Sequence, residues 1–508
     1  MVDMDLFGTA GIRGGVEDRV TPALALAVGR AVGAEIRSRE GADGGSTPES
    51  APEPTVVLAR DGRVTGSALA AAMEAGLAAG GVAVRRAGRL PTPALAHASR
   101  GRYGVMLTAS HNPPTDNGIK LFRDGTEFDR ELELAVESRV ADEASVAPWD
   151  EWTEASRTDP LDGYLAGVRE YAERFGAPLD GLRVAVDCGN GMSAPATPTV
   201  LRELGADVVT LNGNVDGHFP GRGSKPTPET LADLRAFVAD ANEGVAEPGR
   251  PTEAGGGSAG EDAGGDSAGD AEGFAFGIGH DGDADRIVIV DADGEVVHED
   301  TVLAVLAERY TRESDAADPV VVTTPNASGR IDERVRDAGG RVERVRLGAL
   351  HEGIAAVREA AADPDGAGGD DTRVVFAAEP WKHIHVGFGG WIDGVASAAV
   401  IARLVAGEGL AALREPVTER PYRKVSVSCP DDAKGSVMDR LETALPAAFP
   451  DAAVDTDHGV RLEFDDASWT LVRPSGTEPY VRVYAESDDV DALVADVEDV
   501  VEDAVASA

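Results

Sequence analysis

The sequence predicts an α/β protein: three related α/β units with mixed sheets, followed by a smaller α+β unit at the C-terminus. Three observations lead there. Short β-branched runs alternate with Ala-rich amphipathic stretches as far as about Tyr422. That alternation repeats three times, which implies a repeated architecture. Beyond Tyr422 it gives way to strand, helix, two strands around a polar loop and a last acidic helix. At 508 residues the chain is several times the usual domain length, and its 42% hydrophobic content gives each unit enough apolar residues for a core of its own. The expected boundaries are 1–155, 156–299, 300–416 and 417–508.

The first unit reads as a strand at Val56 to Ala59, a helix near Ser67 to Ala79, then strands at Val82 to Val84 and Val105 to Thr108. The second has a strand at Arg183 to Asp187, the turn CGNG and a helix around Pro195 to Leu204. A strand at Asp207 to Leu211 and a helix from about Pro228 to Asp240 complete it. The third runs from a helix near Thr301 through strand Val320 to Thr323, helices Gly329 to Ala338 and His351 to Ala361, and strand Val374 to Ala377. A helix starting near Gly394 follows. Gly41 to Pro54 and Glu243 to Glu272 are Gly-, Ser- and acid-rich insertions, read as surface loops without chemistry.

Composition excludes several functions. Ninety acidic residues against 47 basic ones give a net charge of −43, the wrong sign for neutralising nucleic-acid phosphates. Recurrent apolar segments exclude wholesale disorder. The longest small-apolar run, Ser67 to Val84, is broken by Glu74, and no targeting segment is read at the N-terminus, so a soluble cytoplasmic protein without membrane partners is expected. Cys188 and Cys429 are too few for a disulfide framework or a thiolate zinc site, so any metal must be held mainly by oxygen. Five lysines stand against 42 arginines on an Asp-rich chain, a composition that resembles proteins of salt-accumulating, halophilic archaea. In salt near ~1 M the Debye length is about 3 Å, which screens such self-repulsion. Three of the five lysines, Lys120, Lys225 and Lys382, lie in or beside distinctive loops.

Three loops carry chemistry on their face. LTASHNPPTDNGIK, Leu107 to Lys120, delivers Ser110 and His111 from an apolar strand into a Pro-rich loop, where a hydroxyl can serve as nucleophile. A neighbouring Ser and His are by themselves common. GIGHDGDADRIVIVD, Gly277 to Asp291, sets Asp281, Asp283 and Asp285 at alternate positions between two apolar strands, an oxygen-rich arrangement that suits Mg²⁺. Its Gly277, Gly279 and Gly282 match GxGxxG, but a strand follows where a dinucleotide site needs a helix. A calcium helix-loop-helix would need Gly at Arg286 and Glu at Ala292, and an acidic solvated turn is the bland alternative. RPSGTEPYVRVYAE, Arg473 to Glu486, offers Ser475, Gly476 and Thr477 in a turn, with Arg473 and Arg482 as guanidinium donors to an anion.

Taken together these strings resemble the α-D-phosphohexomutase family, which includes phosphoglucomutase, phosphomannomutase and phosphoglucosamine mutase. TASHNP resembles its phosphoserine loop, DGDADR its metal loop, RPSGTEP its phosphate-binding loop, and FGTAGIRG its N-terminal FGTDGxRG, which brings Arg13 toward the site. The sugar-selecting loop, usually GExSGH, aligns with Glu379 and His383 of AAEPWKHIHVGF but meets Trp381 where Ser is common and Lys382 where Gly is common. RLGALHEGI departs from the family's strings, and no contact is carried over from it.

The resemblance implies a four-domain, heart-shaped arrangement whose loops face one cleft. It implies a phosphoserine at Ser110, and Mg²⁺ held by Asp281, Asp283 and Asp285 against the Ser110 phosphate. His111 and Arg286 would support the transferring group, Lys120 and Arg13 would assist proton movement, and Glu379 and His383 would bind the sugar. Arg473, Ser475, Gly476, Thr477 and Arg482 would hold the substrate's own phosphate. The implied reaction interconverts a sugar 1-phosphate and 6-phosphate through a sugar bisphosphate, in a monomer or homodimer. Glucose and mannose phosphates are the expected substrates, with glucosamine or pentose phosphates as the alternative within the family. A phosphatase and a non-catalytic sugar-phosphate binder are the alternatives outside it.

Overall fold

The computed structural model describes residues 6–8, 11–42, 54–243, 273–362, 371–475 and 479–507. Gly476, Thr477 and nearly all of the two low-complexity insertions lie outside these residues. The described chain forms four sheets.

In the first, strands Thr55–Arg60, Ala83–Arg89 and Ala155–Arg157 run parallel to Tyr103–Leu107, which pairs on its other side with antiparallel Asp116–Arg123; Ile12–Gly15 closes that edge. In the second, Phe276–His280 lies parallel to Arg183–Asp187 and antiparallel to Ile287–Val290, with Asp207–Leu211 at the far edge. The third repeats this with Thr372–Glu379 parallel to Asp318–Thr323 and antiparallel to Lys382–Ile384. The fourth, Tyr422–Ser428 to Tyr480–Glu486, is antiparallel throughout. The mixed α/β class and the smaller C-terminal α+β unit are as the alternating pattern predicts. Strand Ala155–Arg157 belongs to the first sheet, so that unit reaches past the expected boundary at 155.

In each of the first three sheets, a strand flanked by a parallel neighbour turns back through a short connection into an antiparallel one. Those three connections are the serine loop, the acidic loop and the Glu379 turn. The repeat in sequence is therefore a repeat in where the chemistry sits, at the C-terminal end of an interior strand.

The cores are less separate than the sequence suggests. One apolar cluster runs through all three α/β units, joining Val57 and Phe122 to Val186 and Ile278 and on to Val321, Phe376 and Val395. The fourth sheet has a core of its own, around Val437, Leu462, Val483 and Val497. It is tied to the third unit by two buried arginines. Arg330 donates to Glu486 and to Thr301 Oγ1, and Arg461 donates to the carbonyl oxygen of Pro325. No described helix is long and apolar enough to cross a membrane.

Next to this junction Asp300 is 2% exposed, and its Oδ1 has no hydrogen-bond partner. Burial, and then the Glu299 carboxylate, push its carboxyl up to about 8 from an ordinary value of 3.8. An acid whose folded-state value is raised keeps its proton in the folded chain while the unfolded chain ionises, so it lowers stability progressively as pH rises from about 4 to about 8. Asp300→Asn removes this effect. At constant salt, the melting temperature of the variant relative to the wild type should rise between pH 5 and pH 9; a difference independent of pH would show that Asp300 is already ionised in the folded protein.

Candidate active site

Ser110 lies near the start of the first of the three connections, between strands Tyr103–Leu107 and Asp116–Arg123. Strand Tyr103–Leu107 is buried throughout, so the chain leaves it inside the protein, and Ser110 itself is fully buried with φ of 51°. Few non-glycine residues adopt that left-handed backbone, and it must be held by its surroundings. Thr108 Oγ1 accepts from the Ser110 amide at 2.9 Å. The Ser110 hydroxyl donates to Asp281 Oδ2 at 2.6 Å, and His111 Nδ1 lies 3.3 Å from the same Oγ.

The three aspartates of the acidic loop are buried, and their carboxylate oxygens lie within 4.8 Å of one another. Their remaining partners differ. Asp283 Oδ2 accepts from Thr92 Oγ1 at 2.6 Å, Asp285 Oδ2 from Lys120 Nζ at 2.9 Å, and Asp281 Oδ1 from the Arg286 amide at 3.2 Å. Oδ1 of Asp283 and Oδ1 of Asp285 are buried with no hydrogen-bond partner. Burial, then the Asp285 and Asp283 charges, push the Asp281 carboxyl well above the usual range. Burial acts the same way on Asp285, but the Lys120 ammonium and then the Arg286 guanidinium outweigh it and hold that carboxyl low. Three carboxylates this close in a desolvated place, two with an unpartnered oxygen, make a donor set for a hard dication.

Cations lie beside His111 and the aspartates. Burial, then Arg286 and Arg13, push the His111 imidazole down to about 3, with a smaller contribution from Lys225, so it is neutral at physiological pH. Lys120 is 2% exposed and contacts Asp285, Glu127 at 3.5 Å and Asp283 at 3.9 Å. Burial opposes its charge, yet Asp285, Glu127 and Asp283 together raise its value above that of a free lysine.

A pocket opens beside these groups, lined by Arg13, Lys120, Glu127, Asp285, Gly348, His351, Glu379 and Lys382 among others. Ser110, His111, Lys120, Arg13, Asp281, Asp283, Asp285, Arg286 and Glu379 are thus gathered in one region. His383 is not in it. On the antiparallel hairpin Glu379 faces Lys382 and Ala378 faces His383, so Glu379 and His383 point to opposite sides of the sheet. His383 is 1% exposed, its Nδ1 is 2.9 Å from Ser397 Oγ, and burial pushes its imidazole down to about 3. It is part of the core.

Lys382 takes the place beside the pocket, with Nζ 3.5 Å from Glu379 Oε2. Glu127 and His351 were missed in the sequence. Glu127 sits on the short strand Thr126–Glu127, which folds back opposite Phe122, so period-two register returns it to the face of Lys120. His351 lies in RLGALHEGI, a stretch that offered no distinctive spacing; its Nε2 is 2.7 Å from the Gly390 carbonyl oxygen.

Arg473, Ser475 and Arg482 lie on the hairpin of the fourth sheet. Arg473 and Arg482 are cross-strand neighbours, and Tyr484 OH accepts from Arg473 Nη2 at 3.2 Å while Tyr480 OH accepts from Arg482 Nη2 at 2.7 Å. Lys434 Nζ donates to the Ser475 carbonyl oxygen at 2.6 Å.

Trp381 turns away from the pocket. At φ of 68° it occupies the turn after Glu379, and its ring packs on the cluster of Leu231, Leu234, Phe274 and Val288. Trp381→Ser should therefore lower stability by about 2 kcal/mol and leave the ratio of kcat/KM between any two sugar phosphates unchanged. A change in that ratio would return the ring to the substrate.

A serine set against three buried carboxylates, at the connections of three repeated mixed α/β units, is the arrangement that the resemblance to the α-D-phosphohexomutase class implies. Comparison with known proteins agrees. Models of phosphoglucomutase/phosphomannomutase α/β/α domain I match residues 4–147, of α/β/α domain II residues 162–249, and of the C-terminal domain residues 427–504. A phosphopentomutase of Thermococcus kodakarensis is 37% identical over 495 residues, covering 95% of this chain and 94% of the relative. A probable phosphoglucosamine mutase of Methanopyrus kandleri is 39% identical over 491 residues, covering 95% and 94%. The crystal structure of a phosphoglucomutase/phosphomannomutase family protein from Burkholderia thailandensis superimposes with a TM-score of 0.77 at 25% identity, covering 100% of this chain and 98% of that one. The chain belongs to the phosphoglucomutase/phosphomannomutase family, whose members act as intramolecular phosphotransferases.

Proposed function

We propose that this protein is a Mg²⁺-dependent mutase that moves phosphate between the 1-position and the terminal hydroxyl of a neutral sugar, a pentose first, by way of phosphorylated Ser110. The observation that carries the reading is the Ser110 hydroxyl 2.6 Å from Asp281, inside a carboxylate cluster with unpartnered oxygens. Asp281, Asp283 and Asp285 would hold the metal, whose charge would neutralise the phosphate in transfer. The sugar hydroxyl oxygen bonds to phosphorus as the bond from phosphorus to Ser110 Oγ breaks, and the hydroxyl proton ends on Oγ. The bisphosphate then presents its other phosphate, and the reverse transfer restores phosphoserine. Arg13, Arg286 and Lys120 supply positive charge beside the transferring group, while Arg473, Ser475 and Arg482, with Gly476 and Thr477 of the same loop, bind the phosphate that stays. The four units serve as four domains, the first reaching Arg157.

The pocket supports a neutral sugar. Its carboxylates are Glu127, Asp285 and Glu379; Lys120 engages the first two and Lys382 the third, and Arg13 lines the same pocket, so an amino-sugar's ammonium would meet three cations beside carboxylates that already have a cationic partner. The phosphopentomutase relative supports a pentose in particular. Glucosamine phosphate is the second reading, favoured by relatives such as the Methanopyrus kandleri protein. Glucose and mannose, expected from the sequence, have less support than either.

Rates on ribose, glucosamine, glucose and mannose phosphates, measured beside release of inorganic phosphate, test this. We expect kcat/KM for ribose phosphate to exceed that for glucosamine phosphate at least ~10-fold, with negligible phosphate release. Preference for glucosamine phosphate overturns the neutral-sugar reading, and stoichiometric phosphate release overturns the mutase.

A further inference from the structure

We propose that Arg63 is the positioning residue of the nucleophile loop, a role that rests on reading Ser110 as the phosphate carrier. Arg63 is fully buried, and its side chain places each of its five N–H groups. Nε donates to Asp61 Oδ2 at 3.0 Å. Nη1 donates to the carbonyl oxygens of Pro113 at 2.5 Å and Asp116 at 2.9 Å, and Nη2 to those of Ser110 at 2.9 Å and Asn112 at 2.8 Å. Four charge-assisted bonds thus gather four carbonyls of one seven-residue stretch around a single planar cation. Asp61 fixes that cation in turn: Oδ1 accepts from the Arg63 amide, and Oδ2 also accepts from Thr108 Oγ1, the same hydroxyl that receives the Ser110 amide.

The arrangement explains why Ser110 can keep its left-handed backbone. A loop that merely needed to close could do so with ordinary turns, whereas here the carbonyl oxygen of the strained residue is itself held. The contact also reaches the metal-binding unit. The guanidinium carbon lies 5.2 Å from the centre of the Phe219 ring, and Ser224 Oγ donates to the Asn112 carbonyl oxygen at 2.9 Å, alongside Arg63. Gly282, between two of the aspartates, approaches so closely that a Cβ there would come within 2.6 Å of the Ser110 carbonyl oxygen. Arg63 therefore fixes the loop at the place where it meets the acidic loop, which sets the distance between Ser110 Oγ and Asp281. Lysine has three N–H groups on a tetrahedral nitrogen and cannot serve four carbonyls and a carboxylate.

The test compares Arg63→Lys and Ser224→Ala with the wild type in the full chain. Measured are kcat, KM, melting temperature and the fraction of chains carrying one phosphate, by intact mass, after incubation with ribose 1,5-bisphosphate or glucose 1,6-bisphosphate. For Arg63→Lys we expect kcat to fall at least ~100-fold with KM within about twofold, and a matching loss in the rate of Ser110 phosphorylation. For Ser224→Ala, which removes one of two donors to Asn112, a several-fold fall in kcat at unchanged KM is expected, and this variant decides the matter if Arg63→Lys does not fold. Unchanged kcat in the folded variants, or KM rising in step with lost turnover, overturns the positioning role. Ser110→Ala run in parallel separates the two failures: if it remains active, the phosphoserine reading fails, and if it is inactive while Arg63→Lys turns over normally, only the present inference does.

Discussion

Ser110→Ala should lose mutase activity by at least ~10⁴-fold while remaining folded, because the covalent carrier of the phosphoryl group is removed and no neighbouring side chain can replace it. Of the other hydroxyls in the loop, Thr108 is bonded to Asp61 and Thr115 to Asp116. The stability change should be small: one hydrogen bond to Asp281 is lost, a cost of about 1–2 kcal/mol in a chain whose folded cores are elsewhere. Intact mass should show a single added phosphate on the wild type and none on the variant. Full turnover in Ser110→Ala would sink the mechanism, since the same cleft would then be moving phosphate without the serine.

Asp283→Asn should raise the Mg²⁺ concentration needed for half-maximal activity at least ~10-fold and lower kcat by about 100-fold. The substitution keeps the shape of the side chain and an oxygen that can still accept from Thr92, so the loop should stay in place. What changes is the donor set, which loses one carboxylate at a buried place where Oδ1 has no hydrogen-bond partner. Direct titration with Mn²⁺, followed by its spin-resonance signal, reads the affinity without relying on turnover. Binding that is the same in variant and wild type, or activity that survives thorough chelation, would return the loop to an acidic turn.

Much of this site is legible along the chain because its chemistry is local. Three aspartates at alternate positions share one short connection between two apolar strands, which keeps their carboxylates close together, and a serine just after an apolar strand is delivered to that strand's end. The repeat of strand and helix likewise specifies the class of fold, since each amphipathic stretch needs a sheet to cover. Composition settles what metal ligands are possible, because two cysteines leave only oxygen and a few histidines.

Other features depend on contacts between residues far apart. Arg63 lies in the short string RDGR, and its contacts exist only because residues 110–116 fold over it. The family pattern aligned His383 with a sugar contact, yet His383 is buried in the core and Lys382 lines the pocket beside Glu379. The reason is the two-residue turn at Pro380 and Trp381. It pairs Glu379 with Lys382, and because side chains on a strand alternate between faces, the residue one step further on must point into the core. Sequence by itself determined which chemical groups this protein owns and the order in which its loops appear. The tertiary structure decided which of them meet, because burial and direction are set by strand register and by the packing of one unit on the next, and neither is a property of any single segment.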